Sequence, residues 1–459
     1  MAKPTFPLGR TISYAIGQFG WSLLINIIGT WLVYFYLPPK DAGLPILITD
    51  VAILGILNTI GIIASLGRLW DAVTDPLIAN YSDQLDTRWG RRVPLLAAGA
   101  FPAALFCFLI FFPPDDIVSS KNLIWLVVMM LAFYFFLTTY VTPYFALIPE
   151  LGHTANERLN ISTYISVTYF LGIAIAAQAP VIWNSLMSDE GLGLSKVEAV
   201  QYTLGGMSFL AMLCMYFPVF AVDEKKYCQA EPSTVPFKEA MRLTFKNKSF
   251  LFFALSDLAY FLSTMVLQTG LIYYITVLLG KEESLVGLLM IVLGVFSFLL
   301  YPGVNFMARK YGKKKLVLGG FFIFFCVFCF CSVMGMDWLP IPKVAQGYIV
   351  VLVAAIPMAI LGILPNAILA DIAELDALKT GSQREGLFYA GRTLMQKMGQ
   401  TLGILIFSSL LLLGRDASNP TGIRATGPAA AFFCLVAIYL FSKYKEKETL
   451  EEIDRIKGA

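Results

Sequence analysis

Asp71 and Asp75 stand four residues apart in the segment Gly67-Arg68-Leu69-Trp70-Asp71-Ala72-Val73-Thr74-Asp75-Pro76, just after an apolar run from Val51 to Leu66. On a helix, residues at this spacing share a face, and Arg68 lies one turn before Asp71 on the same side. Ionisable groups in a membrane span are costly and by default mark an ion or proton path. Two carboxylates on one face repel unless a proton, a metal ion or a basic side chain lies between them. Sodium suits such a place, because hard cations prefer oxygen ligands, and Thr74 offers a hydroxyl beside the pair. Pro76 frees a backbone carbonyl one turn earlier that a cation can use. The plainer alternative is an Arg–Asp cluster that ties helix ends together.

The surrounding chain has the composition of a membrane protein. Its 459 residues are 58% apolar and 14% charged, with mean hydropathy +0.71. Those values exclude disorder and an ordinary soluble domain. No cleavable signal pattern interrupts the first apolar segment, no basic stripe suited to nucleic acid occurs, and the lone histidine, His153, reads as solvated in a loop. The seven cysteines fall in apolar segments, apart from Cys228 in a basic loop, so no disulfides are expected. Cys326, Cys329 and Cys331 lie in a Phe-rich span without other metal ligands and read as core packing.

Twelve spans are predicted, at 12–37, 47–82, 93–112, 122–150, 158–184, 199–222, 248–279, 284–307, 315–335, 345–376, 386–414 and 426–443. With both termini inside, 24 of the 34 lysines and arginines fall in inside segments and seven in outside loops. Residues 1–222 are expected to form one six-helix bundle, 223–247 a cytoplasmic linker, and 248–459 a second bundle with a short tail. The fold class is thus all-α, with twelve transmembrane helices in two bundles.

The halves repeat. Arg88-Trp89-Gly90-Arg91-Arg92 returns as Lys310-Tyr311-Gly312-Lys313-Lys314 at an offset of 222 residues, and Pro143 and Pro365 keep that offset. Parallel repeats of this kind place a solute path at their interface and alternate access by rocking. The basic loops, Arg88, Arg91 and Arg92 among them, are expected to grip neighbouring helix ends as gates. Asp371, Glu374, Asp376, Lys379, Arg384 and Glu385 form a second inner cluster with the same expected role.

Two further stripes carry polar chemistry. Span four holds Thr138, Thr139, Tyr140, Thr142, Pro143, Tyr144 and Phe145, as suited to helix packing as to a ligand. Span eleven holds Arg392, Thr393, Gln396, Lys397 and Gln400 at helical spacing. Lys397 either reaches the inner surface or compensates Asp71 and Asp75, and the shared polar stripe favours compensation. Asp257, in span seven, shows no partner in the sequence.

The motifs Trp70-Asp71-Ala72-Val73-Thr74-Asp75-Pro76, Arg88-Trp89-Gly90-Arg91-Arg92, Ala370-Asp371-Ile372, Leu378-Lys379-Thr380-Gly381-Ser382-Gln383-Arg384-Glu385-Gly386-Leu387 and Gln396-Lys397-Met398-Gly399-Gln400 together resemble the glycoside–pentoside–hexuronide:cation symporter family, the melibiose-permease group of the major facilitator superfamily. The resemblance implies a coupling site for sodium, lithium or protons at Asp71, Thr74, Asp75 and Thr138, with Asp71 and Asp75 as the sodium-ligating carboxylates. It places Lys397 and Thr393 on family positions near that site. The family's sugar-anchoring aspartates fall on Ser22 and Val141, which leaves Trp21, Tyr140, Tyr144 and Phe145 as a stacking wall. By their charge, Arg392 and Lys397 make an anionic sugar an attractive cargo.

The resulting expectation is a cation-coupled symporter of a glycoside, pentoside or hexuronide, monomeric and multi-pass in the plasma (inner) membrane, with no cofactor beyond the coupling ion. Its partners are then a small solute and the bilayer. Animal sodium-dependent lysophospholipid carriers share the Asp-x-x-Thr-Asp-Pro form, so a lipid-like solute is the alternative, and a non-transporting membrane sensor is the second. An enzyme is not expected, since the sequence has no Ser/His or Cys/His pair, metal cluster or phosphate loop.

Overall fold

The computed structural model describes residues 4–48, 52–53, 57–153, 155–188, 191–228, 246–380 and 385–457. The chain divides into two compact units, Met1–Thr234 and Val235–Ala459. Eleven described helical segments are long and apolar enough to cross a membrane.

The first unit contains α1 (Leu8–Tyr36), α2 (Thr59–Gln84), α3 (Val93–Ile110), α4 (Ser120–Leu151), α5 (Ala155–Ala177), α6 (Ala179–Met187), α7 (Lys196–Ala221) and the short α8 (Glu224–Tyr227). α1 packs on α5 and α7, α4 packs on α2 and α3, and α3 packs on α7. Small residues permit the close approaches that hold helices together in lipid. A Cβ on Gly17 would lie 2.3 Å from Pro218 of α7, and one on Gly20 would lie 2.5 Å from the Ala211 carbonyl. Further along α1, Trp31 stands edge-on to Trp183 and donates its Nε1 proton to the Ala176 carbonyl at 2.8 Å.

The second unit contains α9 (Lys248–Tyr273), α10 (Ser284–Tyr311), α11 (Lys313–Val333), α12 (Lys343–Thr380), α13 (Glu385–Leu410), α14 (Thr421–Ser442) and α15 (Glu446–Lys457). Its packing repeats the first: α9 on α13 and α14, α12 on α10 and α11, α11 on α14. The internal sequence repeat is therefore a repeat of structure.

Three spans differ from the sequence reading. The second begins at Thr59, not 47. Ala52–Ile53 pairs with Leu57–Asn58 in a small antiparallel ladder ahead of it, and Pro45 and the β-branched Ile46, Ile48 and Ile53 oppose a helix. This start puts Asp71 about 18 Å along a 26-residue helix, near its middle. The fifth span breaks at Gln178, ahead of Pro180, which lacks an amide proton. The seventh ends in a π-helical turn at Tyr274–Leu278.

Candidate functional site

Asp71 sits on the α4-facing side of α2, 6% exposed, and accepts a hydrogen bond from the Thr138 hydroxyl. One turn on, Asp75 accepts from Thr142 at 3.2 Å. The two bonds span the same sequence separation, so α2 and α4 run parallel and in register. Gly67 sets that register one turn earlier. A Cβ there would lie 2.6 Å from the Tyr134 ring, and Tyr134 precedes Thr138 by the same four residues that separate Gly67 from Asp71. Glycine brings the helices close enough for threonine hydroxyls to reach carboxylates. Thr74 is 2% exposed and donates to the Asp71 backbone carbonyl at 3.2 Å. The side chain of Arg68 lies outside the described residues.

The described oxygens at Asp71, Asp75, Thr138 and Thr142 are carboxylate and hydroxyl, which fits a hard monovalent cation or exchangeable protons. Among the described residues no group of three or more His, Cys, Asp or Glu converges as a metal cage. The carboxylates share one side of α2, and the threonines both hold them in place and add oxygens. Thr142 was not in the expected ion-binding set. Its signal was its spacing, four residues after Thr138, matching Asp71 and Asp75.

The expected aromatic wall is corrected in part. Tyr140 and Tyr144 are 0% exposed. Tyr14 and Tyr144 stack at 4.3 Å, and each donates its hydroxyl to the other's backbone carbonyl. Tyr140 donates to the Met215 carbonyl at 2.9 Å. Ser22 is also closed off, donating to the Phe19 and Tyr169 carbonyls. Buried hydroxyls that are already bonded to backbone bind helices together rather than a solute. Trp21 and the exposed Phe145 remain, edge-to-face at 5.8 Å, with Tyr169 beside Trp21.

At the start of α3, Arg92 meets Glu150 of α4 through Nε at 3.0 Å and Nη2 at 2.7 Å, and Arg91 reaches the same oxygen at 3.3 Å. Arg88 instead lies over the Trp89 ring. Beneath this, the Glu224 carboxylate accepts from the backbone amides of Arg91, Arg92 and Val93 at 2.8, 2.7 and 2.5 Å. An anion at a helix N-terminus is favoured by the unpaired amides and the helix dipole. The second unit repeats the device. Glu446 accepts from the amides of Lys313 and Lys314, and the Lys313 ammonium meets Asp371 at 2.5 Å. Gly90 and Gly312 hold positive φ at matching places. Glu224 and Glu446 were missed in the sequence, although they keep the 222-residue offset of the basic motifs. Arg384 lies outside the described residues.

On α13, Thr393 is exposed and donates to the Tyr389 carbonyl, while Lys397 is partly buried. Arg392 does not project alone. It pairs with Asp257 of α9 through Nε at 2.7 Å and bonds Asn366 of α12. Asp257 therefore has a partner that the sequence did not reveal. His153 is likewise held rather than solvated, with Nε2 2.8 Å from the Tyr227 carbonyl. Of the cysteine triplet only Cys331 is buried; Cys326 and Cys329 are exposed on α11.

A repeated helical bundle with acids inside a membrane-length helix is the build of a major facilitator transporter. The family model described as "MFS/sugar transport protein" matches residues 13–439, and the chain belongs to that family. An uncharacterised symporter of Synechocystis, sll1374, is 25% identical over 94% of this chain and 92% of its own length. A glucuronide carrier protein homologue of Escherichia coli is 22% identical over 89% and 90%. The fold is similar to that of the nucleoside transporter NupG, with TM-score 0.67, 13% identity and coverage of 95% of this chain and 100% of that one. The family is one of membrane carriers, not of enzymes.

Proposed function

We propose that this transporter is a symporter that couples inward movement of a cation to uptake of a sugar-type solute by alternating access. The observation that carries the reading is the ladder of Thr138 on Asp71 and Thr142 on Asp75 in the middle of α2. Sodium or a proton at Asp71, Thr74, Asp75 and Thr138 would neutralise the pair, with Arg68 as a charge partner on the same helix. The names of the relatives, a symporter and a glucuronide carrier, support cation coupling and a glycoside-class cargo.

In this account the chain lies in the plasma membrane with both termini cytoplasmic, 223–247 links the two bundles, and the chain acts as a monomer. Trp21 and Phe145 in the first unit, and Arg392 and Thr393 in the second, are each the candidate solute contacts of their own unit. The Arg91–Arg92–Glu150 and Lys313–Asp371 groups act as gates. A ligand drives such a cycle only by binding one state better than another, so cation and solute must tighten each other's binding by equal factors.

The test is uptake by proteoliposomes of a panel of neutral glycosides, pentosides and uronides, with and without sodium and proton gradients. Gradient-dependent accumulation by the wild type, with Asp75→Asn reduced to exchange without accumulation, supports the reading. Full accumulation by Asp75→Asn removes the site assignment.

A further inference from the structure

The polar group around Arg392 has a buried side and an open side. Asp257 is 3% exposed and holds the guanidinium through Nε at 2.7 Å and Nη2 at 3.5 Å. Nη1 donates to Asn366, which is exposed, as is Thr393 one residue on from Arg392. The ring of Phe261 lies under the guanidinium, with its centroid 5.9 Å away. Asn366 follows Pro365 well inside the 38-residue α12, and Asp257 and Arg392 also lie inside membrane-length helices. An exposed amide such as that of Asn366 is costly against lipid at this depth and suits a wetted surface.

The charge of this group is already balanced. An arginine alone in the path would draw an anionic sugar, whose carboxylate it would bind in two-pronged fashion. Here Asp257 occupies that edge of the guanidinium from the protein side. A uronide would bring a second carboxylate to a cation already paired, and like charges around one partner repel strongly where water is scarce. A neutral sugar meets no such penalty. Its hydroxyls accept from the guanidinium and from the Asn366 amide, and donate to the Asn366 carbonyl oxygen.

We propose that Asp257 sets the charge of the cargo: by neutralising Arg392 it makes the Arg392–Asn366 face a seat for an uncharged, hydroxyl-rich solute and shuts out carboxylated sugars. Asp257 is a positioning residue, since it acts through Arg392. The proposal rests on the sugar-symport reading and narrows it to one substrate class, unlike the glucuronide named for the Escherichia coli relative.

The experiment uses the purified full chain in nanodiscs and two probes of the same shape, methyl β-glucoside and methyl β-glucuronide, with lactose as a second neutral probe. Affinities are read from tryptophan fluorescence, and cation binding is measured in parallel. The wild type is expected to prefer neutral probes by about tenfold or more. Asp257→Asn is expected to shift the glucoside-to-glucuronide ratio at least tenfold toward the glucuronide. Asn366→Asp in that background returns a carboxylate to the guanidinium and is expected to restore the neutral preference. This readout separates charge from mere packing damage. A wild type that prefers the glucuronide, or an Asp257→Asn variant that weakens both probes equally with no rescue in the double variant, overturns the proposal. A chain that binds its cation but none of the three probes overturns the sugar reading itself, and this proposal with it.

Discussion

The Thr142 hydroxyl donates to Asp75 across 3.2 Å, one helical turn along from the bond between Thr138 and Asp71. Each acid in the centre of α2 is thus held by a hydroxyl of α4. Thr142→Val keeps the shape and removes the donor. A hydrogen bond to a charged group contributes about 1.5 kcal/mol, so cation affinity is expected to fall about tenfold. Thermal stability should fall as well, because the same bond holds the cation-free fold. Titration of sodium and lithium against tryptophan fluorescence checks this, and an unchanged affinity would remove Thr142 from the site.

Gly67 controls the same ladder from one turn away. Gly67→Ala places a methyl 2.6 Å from the Tyr134 ring and is expected to push α2 off α4. Overpacking of this kind costs about 1–3 kcal/mol. Both stability and cation affinity should drop, and trimming the ring with Tyr134→Leu in the same chain should restore part of each. Cation titration on the single and double variants reads the outcome.

The two carboxylate caps give a paired prediction. Glu224→Gln and Glu446→Gln each replace a charged acceptor at a helix N-terminus by a neutral one, at a cost of about 1–2 kcal/mol. Glu224 serves three amides and Glu446 two. The first variant should therefore melt lower than the second in a thermal unfolding assay.

The glycines beside these caps should rank in the same order. Both carry positive φ, which strains any residue with a Cβ by about 1–2 kcal/mol. At Gly90 that Cβ would also lie 2.4 Å from Glu224, against 3.1 Å from Glu446 at Gly312. Gly90→Ala is expected to lower expression and melting temperature more than Gly312→Ala.

Much of this was legible in the sequence because it is local or periodic. The Asp71–Asp75 spacing is a short-range pattern that a helix converts directly into a shared face, and the basic motifs and their repeat are matching residue types read straight from the chain. What stayed hidden depends on which helices pair and in what register. Thr142 gains its meaning only once α4 lies parallel to α2. Asp257 finds Arg392 across 135 residues of sequence separation. Glu224 and Glu446 look like solvated acids after the last helix of each half until the start of α3 or α11 is folded against them. The hydroxyls of Tyr140 and Tyr144 resembled solute contacts because a sequence does not show that backbone carbonyls already occupy them.

Calorimetric titration of sodium into the purified chain tests the cation site most directly. A cation site at Asp71 and Asp75 binds sodium saturably, and that binding is expected to disappear when Asp71→Asn and Asp75→Asn are combined, while the fold survives. Sodium binding that persists undiminished in that double variant would contradict the assignment.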